Sequence, residues 1–227
     1  PGAGVSLLDA ADAVGPTGHV TGIEIAPPFA ARAKSRVPAN VEVCIGNAAD
    51  YPFDSSSFDA AISLFGVMFF ADPVAAFEHI RSVCKPGAAL TFACWGPPED
   101  NPWFGMPSRV AAAVFGPGPA FDPDAPGPMA FGNKDKINRI LSAAGWVVDI
   151  DTKALHLTPN GSPDDVGALQ MTIGAAAMRM RIAKEAGTLD ESHRDAVRTG
   201  LIAGFSEMVE GSDVRVPALV HVVRAVA

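Results

Sequence analysis

Several features that mark particular classes of protein are scarce in, or missing from, this sequence of 227 residues. Its three cysteines, Cys44, Cys84 and Cys94, are odd in number and form no CxxC pair, which disfavours a disulfide framework and a zinc site. The sequence contains no run of about 18 apolar residues and no visible secretory signal, so we expect no membrane span. Buried free thiols are typical of a reducing compartment, and we expect a cytoplasmic protein.

Positive charge is also in short supply. The chain carries 17 Lys and Arg against 25 Asp and Glu, a formal net charge of −8. Such a surface repels a phosphate backbone unless basic residues cluster. The nearest approach to a cluster is Arg179, Arg181 and Lys184, which is typical of a solvated helix edge. We therefore expect a small-molecule substrate and no nucleic-acid partner.

Apolar residues, by contrast, are abundant at 48%, which predicts a folded core. Strand patterns alternate with helical patterns, and this alternation predicts an α/β fold with parallel strands covered by helices on both faces. The strand patterns cover residues 19–25, 41–45, 58–65, 88–95, 146–157 and 214–226. The helical patterns cover residues 5–14, 28–36, 72–84, 107–114, 134–144, 164–186 and 191–208. The last strand could pair within the sheet or across a homodimer, and the sequence leaves both open.

Composition divides the chain into three parts. Residues 1–95 are predicted to form a cofactor-binding core. Residues 96–133 are rich in Pro, Gly and aromatic residues, which predicts a lid or substrate-binding insertion. Residues 134–227 are predicted to complete the core sheet and to carry a helical insertion at 164–208.

Three polar or glycine-rich turns follow one another in the order that a nucleoside site needs. Gly2-Ala3-Gly4 opens the first predicted helix, and glycine lets the backbone approach a ligand closely. Glu24 ends the next predicted strand, 20 residues beyond Gly4, a spacing at which a carboxylate reaches ribose hydroxyls. Gly46-Asn47-Ala48 follows the strand after that. Each motif alone is common, but their order predicts a nucleoside cofactor at the carboxyl ends of the strands.

A dinucleotide is disfavoured as that cofactor. Its fingerprint needs a third glycine three positions after Gly4, where this chain has Leu7. The sequence also contains no Tyr-x-x-x-Lys pair. An NAD(P)-dependent oxidoreductase and a non-catalytic cofactor-binding module remain the alternatives.

Several motifs resemble class I S-adenosylmethionine-dependent methyltransferases of the ubiquinone/menaquinone-biosynthesis type (methyltransferase domain 11/25-like). The motifs are Gly2-Ala3-Gly4, Val20-Thr21-Gly22-Ile23-Glu24-Ile25, Gly46 to Phe53, Ser57-Phe58-Asp59-Ala60, Phe65 to Pro73, Lys85-Pro86-Gly87 and Asn101-Pro102-Trp103. The resemblance implies a Rossmann-like, seven-stranded, mostly parallel sheet with helices on both faces and a helical or loop lid. It also implies transfer of a methyl group from S-adenosylmethionine to a small, apolar or aromatic metabolite such as a quinol, phenol, polyketide or lipid-like compound.

The resemblance implies a role for each matching residue. The methionine moiety of the cofactor is expected to contact Gly2, Ala3 and Gly4. The ribose is expected to contact Glu24, and the adenine to contact Ile25 with its face and Asn47 and Ala48 with its edge. The sulfonium is expected to lie beside Ser63, Leu64 and Phe65. The ring of Phe65 could support the sulfonium through its face, although packing explains it equally well.

The chain departs from the family pattern in two places. The family usually has Asp where this chain has Asn47. The family also has a first strand and an N-terminal helix ahead of the glycine turn, and both are missing here, so we expect that further residues precede Pro1. The span from Pro28 to Asn40 is short for the family and is a second place where residues could be omitted.

The residues that act on the acceptor are less well defined. No catalytic residue is required by the motifs, and His156 and His79 are the candidate bases, although a structural role is the commoner one for histidines in strands and helices. We expect no metal site. The candidate substrate pocket consists of Trp95, Asn101, Trp103, Met129 and Phe131. The alternative is that these side chains only pack the insertion against the sheet.

Overall fold

The computed structural model describes residues 2–118, 120 and 122–227. The chain divides into two units. The first unit comprises Pro1–Cys94, Ala125–Asp151 and His221–Ala227, and the second comprises Trp95–Asp124 and Thr152–Val220. Among the described residues, no helix combines the length and the apolar character that crossing a membrane requires.

The described residues form eight helices and eight strands. The helices are α1 Val5–Val14, α2 Pro27–Lys34, α3 Pro73–Val83, α4 Pro102–Phe115, α5 Lys134–Ala143, α6 Pro163–Gln170, α7 Gly174–Glu185 and α8 Glu191–Ser206. The strands are β1 Val20–Glu24, β2 Val41–Ile45, β3 Phe58–Leu64, β4 Cys84–Trp95, β5 Val147–Leu157, β6 Val209–Glu210, β7 Asp213–Val214 and β8 Val216–Val226. Short 3₁₀ turns lie at Val67–Phe69 and Pro98–Asp100.

The strands confirm the predicted α/β class with parallel pairing. β1 and β2 are parallel, with Val20 opposite Val41 and Glu24 opposite Ile45. A second sheet has the order β3-β4-β8-β5, in which β3 and β4 are parallel. Because β8 has a partner on each side, it pairs within the sheet, which decides against pairing of this strand across a dimer.

The seven-stranded sheet implied by the resemblance is not present in the described residues. They form a two-stranded sheet, a four-stranded sheet and the small antiparallel pair β6–β7. Among the described strands, β1 pairs only with β2 and β3 pairs only with β4. Because no described strand joins β1 to β3, the two sheets stay separate.

Helix α1 packs closely on β1 because the strand has a glycine, Gly22, where the helix has the larger residue Leu7. Leu7 and Ala11 lie four positions apart on α1 and are both buried. A Cβ atom placed on Gly22 of β1 would meet Leu7 Cδ2 at 2.7 Å, so the leucine side chain occupies the space that glycine leaves open. The dinucleotide fingerprint places its small residue on the helix instead. The structure therefore gives Leu7 a packing role that a third glycine could not fill.

Helix α3 begins as the sequence predicts. Asp72 Oδ1 accepts a hydrogen bond from the Ala75 backbone N–H at 3.0 Å, and Pro73 occupies the first helical position. The following strand differs from the prediction, since β4 begins at Cys84 rather than Ala88. Cys84 lies opposite Phe58 and Ala89 opposite Ala60, so β4 carries extra residues that a bulge absorbs.

The helices of the second unit pack around a core of their own. Its buried residues are Met106, Ala111, Val166, Ala176, Met180, Val197, Leu201, Phe205, Val214 and Val216. The predicted helix at 164–186 is in fact two helices, because Gly174 has a left-handed φ of 70° at the break. The helix predicted to start at Pro107 begins at Pro102 instead, and it tolerates Pro107 inside at the loss of one backbone hydrogen bond.

Candidate functional site

The glycine turn has the backbone conformation that only glycine adopts readily. Gly2 has a φ of 58° and Gly4 a φ of 94°. A Cβ atom on Gly4 would also lie 3.1 Å from Ala33 Cα, so the turn approaches α2 closely. Both glycines are therefore required by the path of the chain into α1.

Glu24, at the end of β1, holds this turn. Its Oε2 accepts a hydrogen bond from the Gly2 N–H at 2.8 Å, and its Oε1 accepts one from the Ala26 N–H at 3.0 Å. Partial burial raises the pKa of the Glu24 carboxyl, the hydrogen bonds from the Ala26 and Gly2 N–H groups lower it, and the net pKa is lowered. The side chain therefore lies against the glycine turn as a carboxylate.

The turn after β2 lies beside Glu24. The Gly46 N–H donates to the Glu24 carbonyl at 3.0 Å, which continues the parallel ladder one residue beyond the strands. Asn47 then closes the turn on itself, because its Oδ1 accepts from the Ala49 N–H at 3.1 Å. The carboxyl ends of β1 and β2 thus bring Glu24, Asn47 and Ala48 to one edge of the sheet.

Tyr51 supports that turn. A Cβ atom on Gly46 would meet Tyr51 Cδ2 at 2.5 Å, so the tyrosine ring occupies the place where a side chain at position 46 would lie. His79 Nε2 lies 2.9 Å from the Tyr51 carbonyl oxygen. A hydrogen bond with the Cys44 thiol raises the pKa of the Tyr51 phenol. The candidate base His79 is therefore bonded to the backbone of the residue that packs on Gly46.

The remaining predicted cofactor residues lie at the ends of β3 and β1. Leu64 is 61% exposed and Ser63 is half-buried. Phe65 follows with a φ of 55°, a left-handed conformation that is uncommon for a residue other than glycine. Its N–H donates to the Ala93 carbonyl at 2.9 Å. Directly after β1, Ile25 is 69% exposed.

A cavity of about 260 Å³ in the first unit contains only one of the predicted residues, Leu64. Its lining is Ser6, Asp9, Ile62, Leu64, Thr91, Phe92, Ala93 and Val222. Sequence reasoning missed the other seven residues, although a signal existed. Ile62 lies opposite Thr91 and Leu64 opposite Ala93, so alternate residues of two neighbouring strands share a face.

Two residues of the candidate substrate pocket lie in the protein interior. Asn101 is 0% exposed, and its Nδ2 donates to the carbonyls of Pro97 and Leu219. Its Oδ1 accepts from the Leu219 N–H at 3.1 Å, so this amide serves the backbone. Phe131 is 2% exposed and stacks on Phe77 with ring centroids 6.2 Å apart.

The other candidate pocket residues are partly buried against other side chains. The ring centroids of Trp95 and Phe104 are 5.2 Å apart, and those of Trp103 and Phe205 are 6.0 Å apart. Met129 is half-buried. Trp95, Asn101 and Trp103 belong to the second unit, whereas Met129 and Phe131 belong to the first. The packing alternative accounts for these contacts, and the assignment of these residues to a substrate pocket stays a prediction.

The other candidate base, His156, lies on the exposed face of β5. Its Nδ1 is 3.4 Å from Arg215 Nη2. Within the part of the chain that the structure describes, no group of three or more His, Cys, Asp or Glu side chains is placed to hold a metal ion.

Comparisons with known proteins bear on this site. A family described as "Methyltransferase domain" matches residues 1–92. The nocamycin O-methyltransferase of Saccharothrix syringae is 33% identical over 171 residues, which cover 68% of this chain and 59% of that protein. The demethylmenaquinone methyltransferase of Listeria welshimeri is 31% identical over 113 residues, covering 47% of this chain and 48% of the relative. The chain thus spans about half to three fifths of the length of these curated relatives.

Solved structures share the fold at low sequence identity. The YcgJ protein of Bacillus subtilis has a TM-score of 0.61 at 16% identity, covering 99% of this chain and 88% of that chain. A phosphoethanolamine N-methyltransferase of Haemonchus contortus, in complex with S-adenosyl-L-methionine, has a TM-score of 0.54 at 19% identity, covering 99% and 46%. The [4+2]-cyclase SpnF has a TM-score of 0.54 at 18% identity, covering 98% and 71%. They confirm the Rossmann-like fold, and the cyclase shows that the fold alone does not fix the reaction.

Proposed function

We propose that this chain, which belongs to the class I S-adenosylmethionine-dependent methyltransferases, binds S-adenosylmethionine beside its glycine turn and transfers the methyl group to a small molecule. The observation that carries the proposal is the hydrogen bond of 2.8 Å between the Gly2 N–H and the Glu24 carboxylate. It places an ionised acceptor at the point where the backbone can approach a ligand most closely.

The residues at this edge suit the parts of the cofactor. A carboxylate can accept up to about four hydrogen bonds, so Glu24 can bind ribose hydroxyls while it holds the turn. Ile25 offers an exposed apolar surface to one face of the adenine. Asn47 and Ala48 lie beside Glu24 and would meet the edge of the base. A cofactor without phosphates also suits a chain with a net charge of −8.

The chain would act mainly by positioning. When bound, S-adenosylmethionine supplies a methyl group on a positively charged sulfur that is intrinsically reactive toward nucleophiles. Gly2, Ala3 and Gly4 would fix its methionine moiety, and Ser63, Leu64 and Phe65 would line the region of the sulfur. Holding the acceptor in line with the methyl group then contributes most of the rate enhancement. A protein base is needed only for a poorly acidic acceptor, and we assign none.

The acceptor that we propose is a small apolar or aromatic metabolite, such as a quinol, phenol, polyketide or lipid-like compound. Two relatives, an O-methyltransferase for nocamycin and a methyltransferase for demethylmenaquinone, support this class by their names. The acidic chain argues against a nucleic-acid acceptor. A screen of quinols and phenols that measures the release of S-adenosylhomocysteine tests this part of the proposal.

Calorimetric titration with S-adenosylhomocysteine tests the cofactor site. Because Glu24 both holds the turn and would bind the ribose, Glu24→Ala should weaken binding by about tenfold or more. Glu78, an exposed carboxylate on α3, provides the matched control, and Glu78→Ala should change the affinity by less than about twofold.

Unchanged affinity in Glu24→Ala would disprove the assignment of this residue. Binding of NADH in place of S-adenosylhomocysteine would instead support the oxidoreductase alternative. Leu7, which packs on Gly22, already disfavours that alternative, because a dinucleotide site has a glycine at this helix position beside the pyrophosphate.

A further inference from the structure

The amide of Asn47 has a fixed orientation. Its Oδ1 accepts a hydrogen bond from the Ala49 backbone N–H at 3.1 Å. Since a backbone N–H can only donate, the oxygen end of the amide must face the turn and the nitrogen end must face elsewhere. The hydrogen-bond partner therefore determines which group Asn47 can offer to a ligand.

The nitrogen end is available at the surface. Asn47 is exposed, and among residues 2–118, 120 and 122–227 no acceptor binds its Nδ2. The neighbouring Gly46 N–H donates to the backbone carbonyl of Glu24, so Asn47 directly follows the residue that contacts the end of β1. The Asn47 Nδ2 group is therefore a donor that is available to a ligand at this edge of the sheet.

An aspartate at this position would behave differently. One carboxylate oxygen could accept from the Ala49 N–H while the other accepted a hydrogen bond from the ligand. With asparagine the turn uses the single oxygen, and the remaining group is a donor. Exchanging the two residues thus leaves the turn intact but converts the group offered to the ligand from an acceptor into a donor.

The edge of adenine contains both kinds of group. Its exocyclic amine is a donor, whereas the ring nitrogens are acceptors. We propose that Asn47 makes this site insensitive to the exocyclic amine, because a donor cannot hydrogen-bond to another donor. This inference rests on the proposed function, and it specifies which part of the base the site fails to recognise.

Calorimetric titration with two ligands tests the inference. The ligands are S-adenosylhomocysteine and the analogue in which hydrogen replaces the exocyclic amine of the purine. The wild-type protein should bind the two with affinities within about threefold of each other. Asn47→Asp should bind S-adenosylhomocysteine about tenfold more tightly than the analogue, because a carboxylate then accepts from the amine.

Asp50→Asn is the matched control, since it changes a carboxylate in the same turn. It should leave the ratio of the two affinities as in the wild type. A changed ratio would mean that Asp50 hydrogen-bonds to the base, which overturns the inference. A wild-type preference above about threefold for the amine also overturns it, as does a folded Asn47→Asp without preference. If Asn47→Asp does not fold, the ratio of the wild-type protein's affinities for the two ligands alone decides whether the inference holds. Failure of both ligands to bind the wild-type protein would instead disprove the proposed function.

Discussion

Polar side chains cap helices in both units of this chain, as Asp72 does in the first, but the first unit also has polar side chains at the ends of parallel strands. In the first unit, Glu24 and Asn47 follow the ends of strands and accept hydrogen bonds from the backbone of turns. In the second unit, Ser162 and Asp190 begin helices, accepting from the N–H groups of Asp165 and His193 respectively. Polar groups at strand ends lie where a ligand of an open sheet binds, whereas helix caps serve the fold alone. The comparison therefore favours the first unit as the location of the ligand site that we propose.

The largest effect that we expect comes from the core of the second unit. Phe205 is 0% exposed, and Phe205→Ala should lower the free energy of unfolding by about 3–5 kcal/mol because it leaves a cavity. Phe29, which is 55% exposed on α2, provides the control, and Phe29→Ala should cost less than about 1 kcal/mol.

Urea denaturation measures both variants. If the comparison is correct, the folded Phe205→Ala protein should still bind S-adenosylhomocysteine with nearly wild-type affinity. A loss of affinity larger than about tenfold in that folded variant would show that the second unit also carries ligand contacts.

A smaller effect is expected at the glycine turn of the first unit. Gly4→Ala combines a φ of 94° with a Cβ only 3.1 Å from Ala33 Cα, and should destabilise the protein by about 2–4 kcal/mol. Gly2→Ala has a φ of 58° but meets nothing within 4 Å, and should cost only about 1–2 kcal/mol. Thermal unfolding of the pair measures the difference, and equal losses would contradict the close approach to α2.

The smallest effect concerns acid stability in the second unit. Hydrogen bonds from the His193 N–H and the Ser192 hydroxyl lower the pKa of Asp190 from 3.8 to about 2. A carboxyl whose pKa is lower in the folded state contributes stability above its unfolded pKa and loses it as the pH falls. The difference in melting temperature between the wild type and Asp190→Asn should therefore be constant above about pH 4 and vanish toward about pH 2. A difference that persisted at the acid limit would refute the capping role.

Sequence reasoning worked best where local signals determine the structure. The bounds of α1 and β2 agree with the predicted ones, because a glycine turn and short apolar runs mark their ends. The contact of Glu24 with Gly2 follows from the same logic, since it needs only the order of strand and turn.

The contacts that sequence reasoning could not predict depend on distant partners. Asn101 looks like a pocket residue in a stretch rich in proline, yet its amide bonds to Leu219, which lies 118 residues away. Phe131 likewise packs on Phe77 and Phe92 of other elements. Spacing along the chain does not reveal which buried groups will meet, so the candidate substrate pocket was the least predictable part.

The packing of Tyr51 on Gly46 has a practical consequence for spectroscopy. The chain contains one tyrosine, which lies four residues after Asn47, and its ring packs on Gly46, the residue before the amide that we assign to the purine edge. Biosynthetic labelling with fluorotyrosine would therefore give a single fluorine resonance from this turn. Its chemical shift would report the binding of a nucleoside to the first unit without an activity assay or a methyl acceptor.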